Sequence, residues 1–225
     1  MSAFFITATG TDIGKTYVTA GLLRHLRAEG AAAIKPVASG FTAETAAVSD
    51  PVQLLEAMGE AVTTETLAHI SPWRFAEPLS PDMAAAREGR VIEFDALVAF
   101  CRARIAKADG PFFVEGVGGV MVPLDARHTV REWMVALGLP VVLVAGSYLG
   151  TISHTLTALD VLARAGLQVA ALVVNESADS TVPLEETMTT LHRFARAVPI
   201  ITLSRGAADA EFAALWHALC AAHEH

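Results

Sequence analysis

Residues 3–16 constrain the fold of this chain more than any other stretch. Ala3-Phe4-Phe5-Ile6-Thr7-Ala8 is a short, wholly apolar run apart from its threonine, and it predicts a buried strand. Thr9-Gly10-Thr11-Asp12-Ile13-Gly14-Lys15-Thr16 follows at once. Val18, Leu22, Leu23 and Leu26 then recur on one side of a helix. A strand, a Gly-containing loop ending in Gly-Lys-Thr and a helix together make a phosphate-binding loop. The unpaired N–H groups of the first helical turn and the positive end of the helix dipole attract phosphate oxygens. Lys15 adds a point charge for the terminal phosphates, and the Thr16 hydroxyl is a ligand for Mg²⁺. Thr9 stands where the usual pattern places its first Gly, with Gly10 beside it.

Five further runs read as parallel strands buried on both faces: residues 32–37, 111–114, 141–145, 169–174 and, more weakly, 198–203. Helical patterns fill the gaps, from Gly14 to about Glu29, from about Glu93 to Asp109, and from about Thr151 to Arg164. Each stops at a Gly, namely Gly30, Gly110 and Gly166. Strand alternating with helix predicts an α/β fold, a mostly parallel sheet with helices on both faces, of the phosphate-loop NTPase kind. With 225 residues and no linker or low-complexity tract, residues 1–225 are expected to form one domain. Residues 41–81 are less regular and hold Pro51, Pro72, Pro78 and Pro81, so they are expected to carry excursions over the site.

Bulk composition narrows the partners. The formal charge of −8 argues against non-specific binding to nucleic acid or to acidic membrane surfaces. No basic leader with a long apolar core opens the chain, and its apolar runs are too short to span a bilayer. Cys101 and Cys220 are far apart and have no metal-ligand spacing. Cys101 falls on an apolar helix face with Leu97, Val98 and Ile105, as a small core residue. A reducing cytoplasm is the expected compartment.

The chemistry-bearing residues follow the strands, which is where ligands bind in open α/β sheets. Lys35-Pro36-Val37-Ala38-Ser39-Gly40 follows the second run. Lys35 there either snorkels to the sheet edge or serves a negative ligand. Glu115-Gly116-Val117-Gly118-Gly119 follows the third. A carboxylate at the end of a buried strand is costly unless it is paired or bound to a metal. Phosphate-loop enzymes place a second Mg²⁺-organising acid at such a position. Asp50 reads most simply as a helix N-cap before Pro51, although its carboxylate could face a metal. Gly146 to His154 is a hydroxyl-rich turn into a helix, suited to a carboxylate ligand. Asn175 is a turn residue or a reader of a nucleobase edge. No Ser/His/Asp, Cys/His or zinc-ligand arrangement has support in the sequence.

In order along the chain stand Thr11-Asp12-Ile13-Gly14-Lys15-Thr16, Lys35-Pro36-Val37-Ala38-Ser39-Gly40, Phe75-Ala76-Glu77-Pro78-Leu79-Ser80-Pro81, Glu115-Gly116-Val117-Gly118-Gly119 and Leu149-Gly150-Thr151-Ile152-Ser153-His154. With these the chain resembles the dethiobiotin synthetases, from its first strand to at least Asn175. The resemblance implies a homodimer with the substrate pocket near the interface. The implied substrates are 7,8-diaminononanoate, CO₂ and ATP, with Mg²⁺. It implies that Thr11, Asp12, Ile13, Gly14, Lys15, Thr16 and Tyr17 bind the nucleotide, together with Glu115, Gly116, Val117 and Gly118, and that Asn175 reads adenine. By family position, Thr16, Asp50 and Glu115 hold the metal, and Lys15 and Lys35 are the catalytic cations. Ser39 and Gly118 contact the substrate. Leu149, Gly150, Thr151 and Ser153 hold its distant carboxylate across the dimer interface. The chain departs from the family pattern at Ala8, Gly10, Tyr148 and Ser153, and residues 200–205 lack a proline. The main rival from another class is a switch ATPase of the partition or cell-division type. Those carry a signature Lys five residues before the Gly-Lys-Thr Lys, where this chain has Gly10.

Overall fold

The computed structural model describes residues 2–178, 180 and 182–223. Its elements are β1 (Ala3–Ala8), α1 (Lys15–His25), β2 (Ala32–Ile34), β3 (Val37–Ser39), α2 (Asp50–Met58), α3 (Thr64–Ile70), β4 (Trp73–Phe75), α4 (Pro81–Arg87), α5 (Phe94–Ile105), β5 (Phe112–Glu115), α6 (Val130–Leu137), β6 (Val141–Gly146), α7 (Thr151–Arg164), β7 (Val169–Asn175), α8 (Leu184–Phe194), β8 (Ile200–Leu203) and α9 (Asp209–His223). Six strands form one sheet in the order β2-β5-β1-β6-β7-β8, with every neighbouring pair parallel. The sheet is covered on both faces, which explains why its strands are continuously apolar rather than alternating.

Successive residues of β1 show the two faces. Phe4 meets Trp216 of α9 edge-on, with ring centroids 6.1 Å apart, while Phe5 meets Trp133 of α6 edge-on at 4.9 Å. Adjacent strand residues point to opposite faces, so α9 and α6 lie in different helical layers, with β1 between them. Among the described residues no helix is long and apolar enough to cross a membrane.

Several elements differ from the sequence reading in ways that have local causes. The run 32–37 is not one strand. β2 ends at Ile34; the Lys35 N–H then donates to the Ile70 carbonyl at 3.0 Å, and Pro36 has no N–H to continue a ladder. The chain leaves the main sheet there, and β3 pairs in parallel with β4 in a separate two-stranded sheet. Glu115 is the last residue of β5 rather than a residue beyond it. Asp50 is not an N-cap: Ser49 holds that position, with Asp50 and Pro51 beginning α2. The irregular stretch 41–81 contains α2, α3 and β4. The helix expected to reach Asp109 stops at Ile105, because i→i+3 bonds from Lys107 to Arg104 and from Ala108 to Ile105 tighten the chain beyond it.

Helix α6, which carries Trp133 to the underside of β1, begins with a reciprocal cap. The Thr129 side chain accepts from the helix backbone. The Glu132 carboxylate accepts from the Thr129 N–H at 2.8 Å and from its hydroxyl at 2.6 Å. Burial works against the Glu132 charge, but these bonds and the Arg131 guanidinium outweigh it and hold the carboxyl at about 2. The same group titrates near 4.5 when unperturbed, so its stabilisation is complete above that value and fades as pH falls towards 2. Glu132→Gln is therefore expected to cost about 1 kcal/mol of stability near neutral pH. In urea unfolding curves the gap between the two proteins should close on acidification through this window. A gap that does not change with pH would show that the charge of Glu132 is not what stabilises the cap.

Candidate active site

The loop joining β1 to α1 lies at the carboxyl edge of the sheet. Its last residue before the helix, Gly14, has φ 104°, and a Cβ there would lie 2.3 Å from Nδ2 of Asn175. Only glycine satisfies both the backbone conformation and the contact. The Asn175 side chain, at the end of β7, donates to the Ile13 carbonyl at 3.0 Å and so clips the loop to the sheet. The first-turn amides of Lys15, Thr16 and Tyr17 have no intrahelical acceptor by position and point towards the space in front of the loop. Lys15 is buried, and its ammonium donates to the Gly10 carbonyl at 3.2 Å. Burial, and then the positive charge of Lys35, push its pKa down to about 8.

Lys35 is the centre of the site. Its position just after β2 and before Pro36 carries its side chain to the end of the neighbouring strand β5. The fully buried ammonium donates to Glu115 Oε1 and to the Gly116 carbonyl, each at 2.7 Å, and pairs with Asp50 Oδ2 at 2.9 Å. Its three N–H donors are thus all engaged. Burial opposes the charge on Lys35, yet Glu115 and Asp50 more than offset it and hold the ammonium above the ordinary lysine range. Asp50 is 44% exposed at the mouth of the site. Burial works against its charge, and Lys35 outweighs this and holds it below the ordinary aspartate range.

The Thr16 hydroxyl donates to Glu115 Oε1 at 2.7 Å. The other carboxylate oxygen of this fully buried residue, Oε2, has no hydrogen-bond partner. An orphaned carboxylate oxygen beside a hydroxyl and a second carboxylate is an all-oxygen donor set of the kind that suits a hard divalent cation. Among the described residues no group of three or more His, Cys, Asp or Glu is gathered so that it could hold a metal ion by itself.

A cavity of about 470 Å³ opens in front of these groups. It collects Thr11, Asp12, Gly14, Lys15, Thr16, Lys35, Ser39, Asp50, Val117 and Gly118 from five separate stretches of chain. Glu115 and Gly116 stand behind Lys35. Phe41, Thr45, Val48 and Ser49 also line it. The sequence reading missed these four, and the pattern of an irregular segment after Gly40 was the one signal that could have placed them there. Tyr17 and Asn175 line a second cavity of about 270 Å³ with Glu176, Arg205 and Gly206. Glu176 and Gly206 were also missed, although their places just after β7 and β8 put them on the edge where ligands bind, and Arg205 ends the segment 200–205 already singled out for its missing proline.

Leu149, Gly150, Thr151 and Ser153 line neither of these cavities. Leu149 is 88% exposed, and the Thr151 hydroxyl is used internally on the Gly146 carbonyl at 2.7 Å. His154 bonds through Nδ1 to the Tyr148 hydroxyl at 2.9 Å. Cys101 is on the buried face of α5 with its thiol pushed up to about 12 by burial, which removes it from nucleophilic chemistry.

A family model described as an AAA domain matches residues 2–203. The chain is 58% identical over 202 residues to the ATP-dependent dethiobiotin synthetase BioD of Acidiphilium cryptum, covering 88% of this chain and 91% of that protein. It is 47% identical over 225 residues to the ATP-dependent dethiobiotin synthetase BioD of Phenylobacterium zucineum, covering 98% and 96%. Among solved structures, the cell division ATPase MinD of Pyrococcus furiosus superposes with a TM-score of 0.52 at 17% identity, over 99% of this chain and 89% of that one. A ParA family ATPase from Chlorobium tepidum gives 0.52 at 14%, over 98% and 88%. At those identities the two ATPases share the fold with this chain and nothing further is carried over from them. The sequence likeness to these synthetases covers 88% and 98% of the chain, and on that basis the chain belongs to the ATP-dependent dethiobiotin synthetase family.

Proposed function

We propose that this protein uses ATP to carboxylate 7,8-diaminononanoate with CO₂ and to close the product into the cyclic urea of dethiobiotin. The observation that carries this reading is the buried Lys35 ammonium, held between two carboxylates in front of a phosphate loop. One substrate amine takes up CO₂ to give a carbamate. A carbamate oxygen attacks the γ-phosphorus of ATP, ADP leaves, and a mixed carbamic–phosphoric anhydride forms. The second amine attacks the carbonyl carbon, the five-membered ring closes, and phosphate is expelled.

The chain supplies charge and position for these steps. Two anions must approach each other, so cations have to stand between them. Lys15 faces the terminal phosphates from the loop, and Lys35 stands between the phosphate and the carbamate. Thr16, Asp50 and Glu115 would hold Mg²⁺, which when bound neutralises charge on the phosphates. The carbamate and the anhydride carry the reactive groups themselves, so no protein nucleophile is needed and orientation is the main contribution. Ser39 and Gly118 contact the diamine. The turn into α7, with Leu149, Gly150, Thr151 and Ser153, holds the substrate carboxylate of a neighbouring copy in a homodimer, through first-turn N–H groups other than that of Thr151, which donates to the Tyr148 carbonyl at 3.0 Å. Asn175 commits one of its two amide N–H groups to Ile13, which leaves the other N–H and the carbonyl oxygen to read the adenine edge. We further propose a single domain and a cytoplasmic location.

The direct test is product analysis by mass spectrometry of protein with 7,8-diaminononanoate, bicarbonate and MgATP, and of mixtures lacking each one. A cyclic urea that forms only in the complete mixture, with ADP in equal amount, is the expected result. ATP hydrolysis that ignores the diamine would instead favour a switch ATPase.

Two substitutions test the residue roles. Lys35→Met is expected to lower kcat by about 10²–10³-fold and to cost about 3 kcal/mol of stability, because it leaves Glu115 buried and unpaired. Adding Glu115→Gln to Lys35→Met should restore most of that stability in denaturant unfolding without restoring turnover. Recovery of turnover in the double variant would show that Lys35 serves the fold and not the reaction. Alone, Glu115→Gln should raise the Mg²⁺ concentration for half-maximal activity at least tenfold. An unchanged Mg²⁺ titration would remove Glu115 from the metal site.

A further inference from the structure

The segment after β8 forms one wall of the smaller cavity, and side chains from distant parts of the sequence hold it in shape. Ser204-Arg205-Gly206-Ala207 is a four-residue turn closed by the Ala207 N–H donating to the Ser204 carbonyl at 3.0 Å. Its third residue, Gly206, has φ 72°, a conformation glycine adopts without strain. No proline stiffens residues 200–207. The Glu211 carboxylate accepts from the Ser204 N–H at 2.9 Å, from its hydroxyl at 3.0 Å and from the Ala208 N–H at 2.9 Å. Glu176 accepts from the Arg205 N–H at 2.8 Å.

The Tyr17 hydroxyl acts on the closing bond itself. It accepts from the Ala207 N–H at 2.7 Å and donates to the Ser204 carbonyl at 3.3 Å, so it clamps both ends of the turn. Tyr17 directly follows Thr16 on the first turn of α1. Its ring is braced by Phe212 of α9, with centroids 5.9 Å apart. That brace is tight: a Cβ added at Gly21, on the next turn of α1, would come within 2.0 Å of the Phe212 ring. The phenol oxygen therefore ties the Arg205–Gly206 wall directly to the first turn of α1, beside the indirect links that run through α9, among them His25 on Asp209 at 2.8 Å.

We infer that Tyr17 is a positioning residue for nucleobase recognition: its hydroxyl fixes the Ser204–Ala207 turn at a set distance from the phosphate loop, so that a base can be read by the cavity wall while its phosphates occupy the loop. This rests on the nucleotide-binding reading given above. Without the hydroxyl, the Ala207 N–H and the Ser204 carbonyl keep only each other, and the wall loses its direct hydrogen-bonded tie to the first turn of α1. The phosphate contacts do not pass through this oxygen. The consequence is a selective loss in binding the nucleoside half of the ligand.

The test compares dissociation constants for ATP and for inorganic tripolyphosphate, both with Mg²⁺, in the wild-type protein and in Tyr17→Phe. Phenylalanine keeps the ring on Phe212 and removes one atom, and the thermal midpoint of each protein is recorded alongside. The expected result is that the ratio of ATP affinity to tripolyphosphate affinity falls about tenfold in the variant, with a narrowed preference for ATP over GTP. An unchanged ratio, or ATP and tripolyphosphate affinities that fall together, would overturn the inference while leaving the nucleotide reading intact. Wild-type protein that binds tripolyphosphate as tightly as ATP would overturn both, because no base would then be recognised at all.

Discussion

The site depends on one buried electrostatic arrangement, the Lys35 ammonium held by Glu115 at the end of β5 and by Asp50 at the start of α2. A fully buried glutamate at the end of a central strand would be costly if left alone. So would a fully buried lysine. Each makes the other tolerable, and the Gly116 carbonyl and the Thr16 hydroxyl complete the shell. A pair of this kind adds little net stability over an apolar replacement, while losing one partner is expensive. Its presence under a phosphate loop is therefore better explained by chemistry than by folding. In the proposed reaction the same groups that neutralise one another in the free protein are the ones that would handle a polyanion.

The rest of the structure brings these groups together from distant parts of the chain. β1, β5 and β2 are consecutive neighbours in the sheet, so their carboxyl ends deliver the phosphate loop, Glu115 and Lys35 to one edge. Phe5 and Trp133 fill the layer beneath β1, and Phe4 with Trp216 fills the layer on the other face. This packing gives the loop a rigid base, and catalysis by orientation needs such a base.

Much of this was legible in the sequence because it is written in local patterns. The phosphate loop, the continuous apolar strands, and the placement of Lys35, Glu115 and Asn175 near strand ends all follow from short-range spacing. Contacts between residues far apart in sequence were not legible. The Asn175 bond to Ile13 and the Tyr17 clamp on Ser204 and Ala207 join residues more than 160 positions apart, and no periodicity encodes them. The split of run 32–37 was also hidden, although Pro36 marked it. Val37, Ala38 and Ser39 are good strand residues in either sheet, and only the backbone bonds from Lys35 to Ile70 and from Trp73 to Pro36 decide which sheet they join. Asp50 was read as a cap because Ser49 and Pro51 flank it. One residue's shift in register turned the cap into a partner for Lys35.

The break at Pro36 has a further consequence for how such an enzyme can change. β2 and β5 are hydrogen-bonded neighbours, and α5 alone is long enough to make the crossover between them. Residues 37–93 leave the main sheet and return before that helix begins, so they form an insert, though one whose Leu54, Leu55 and Ile70 join the same core as Phe4 and Leu22. The insert contributes Ser39, Phe41, Thr45, Val48 and Asp50 to the cavity, while the loop at β1 and the end of β5 stay with the scaffold. Exchanging this one stretch of chain would alter the mouth of the cavity and would also take Asp50 from Lys35, while the loop at β1 and Glu115 keep their places. A fold joined in this way can vary its acceptor side only by changes that keep a carboxylate on Lys35 and the packing of α2.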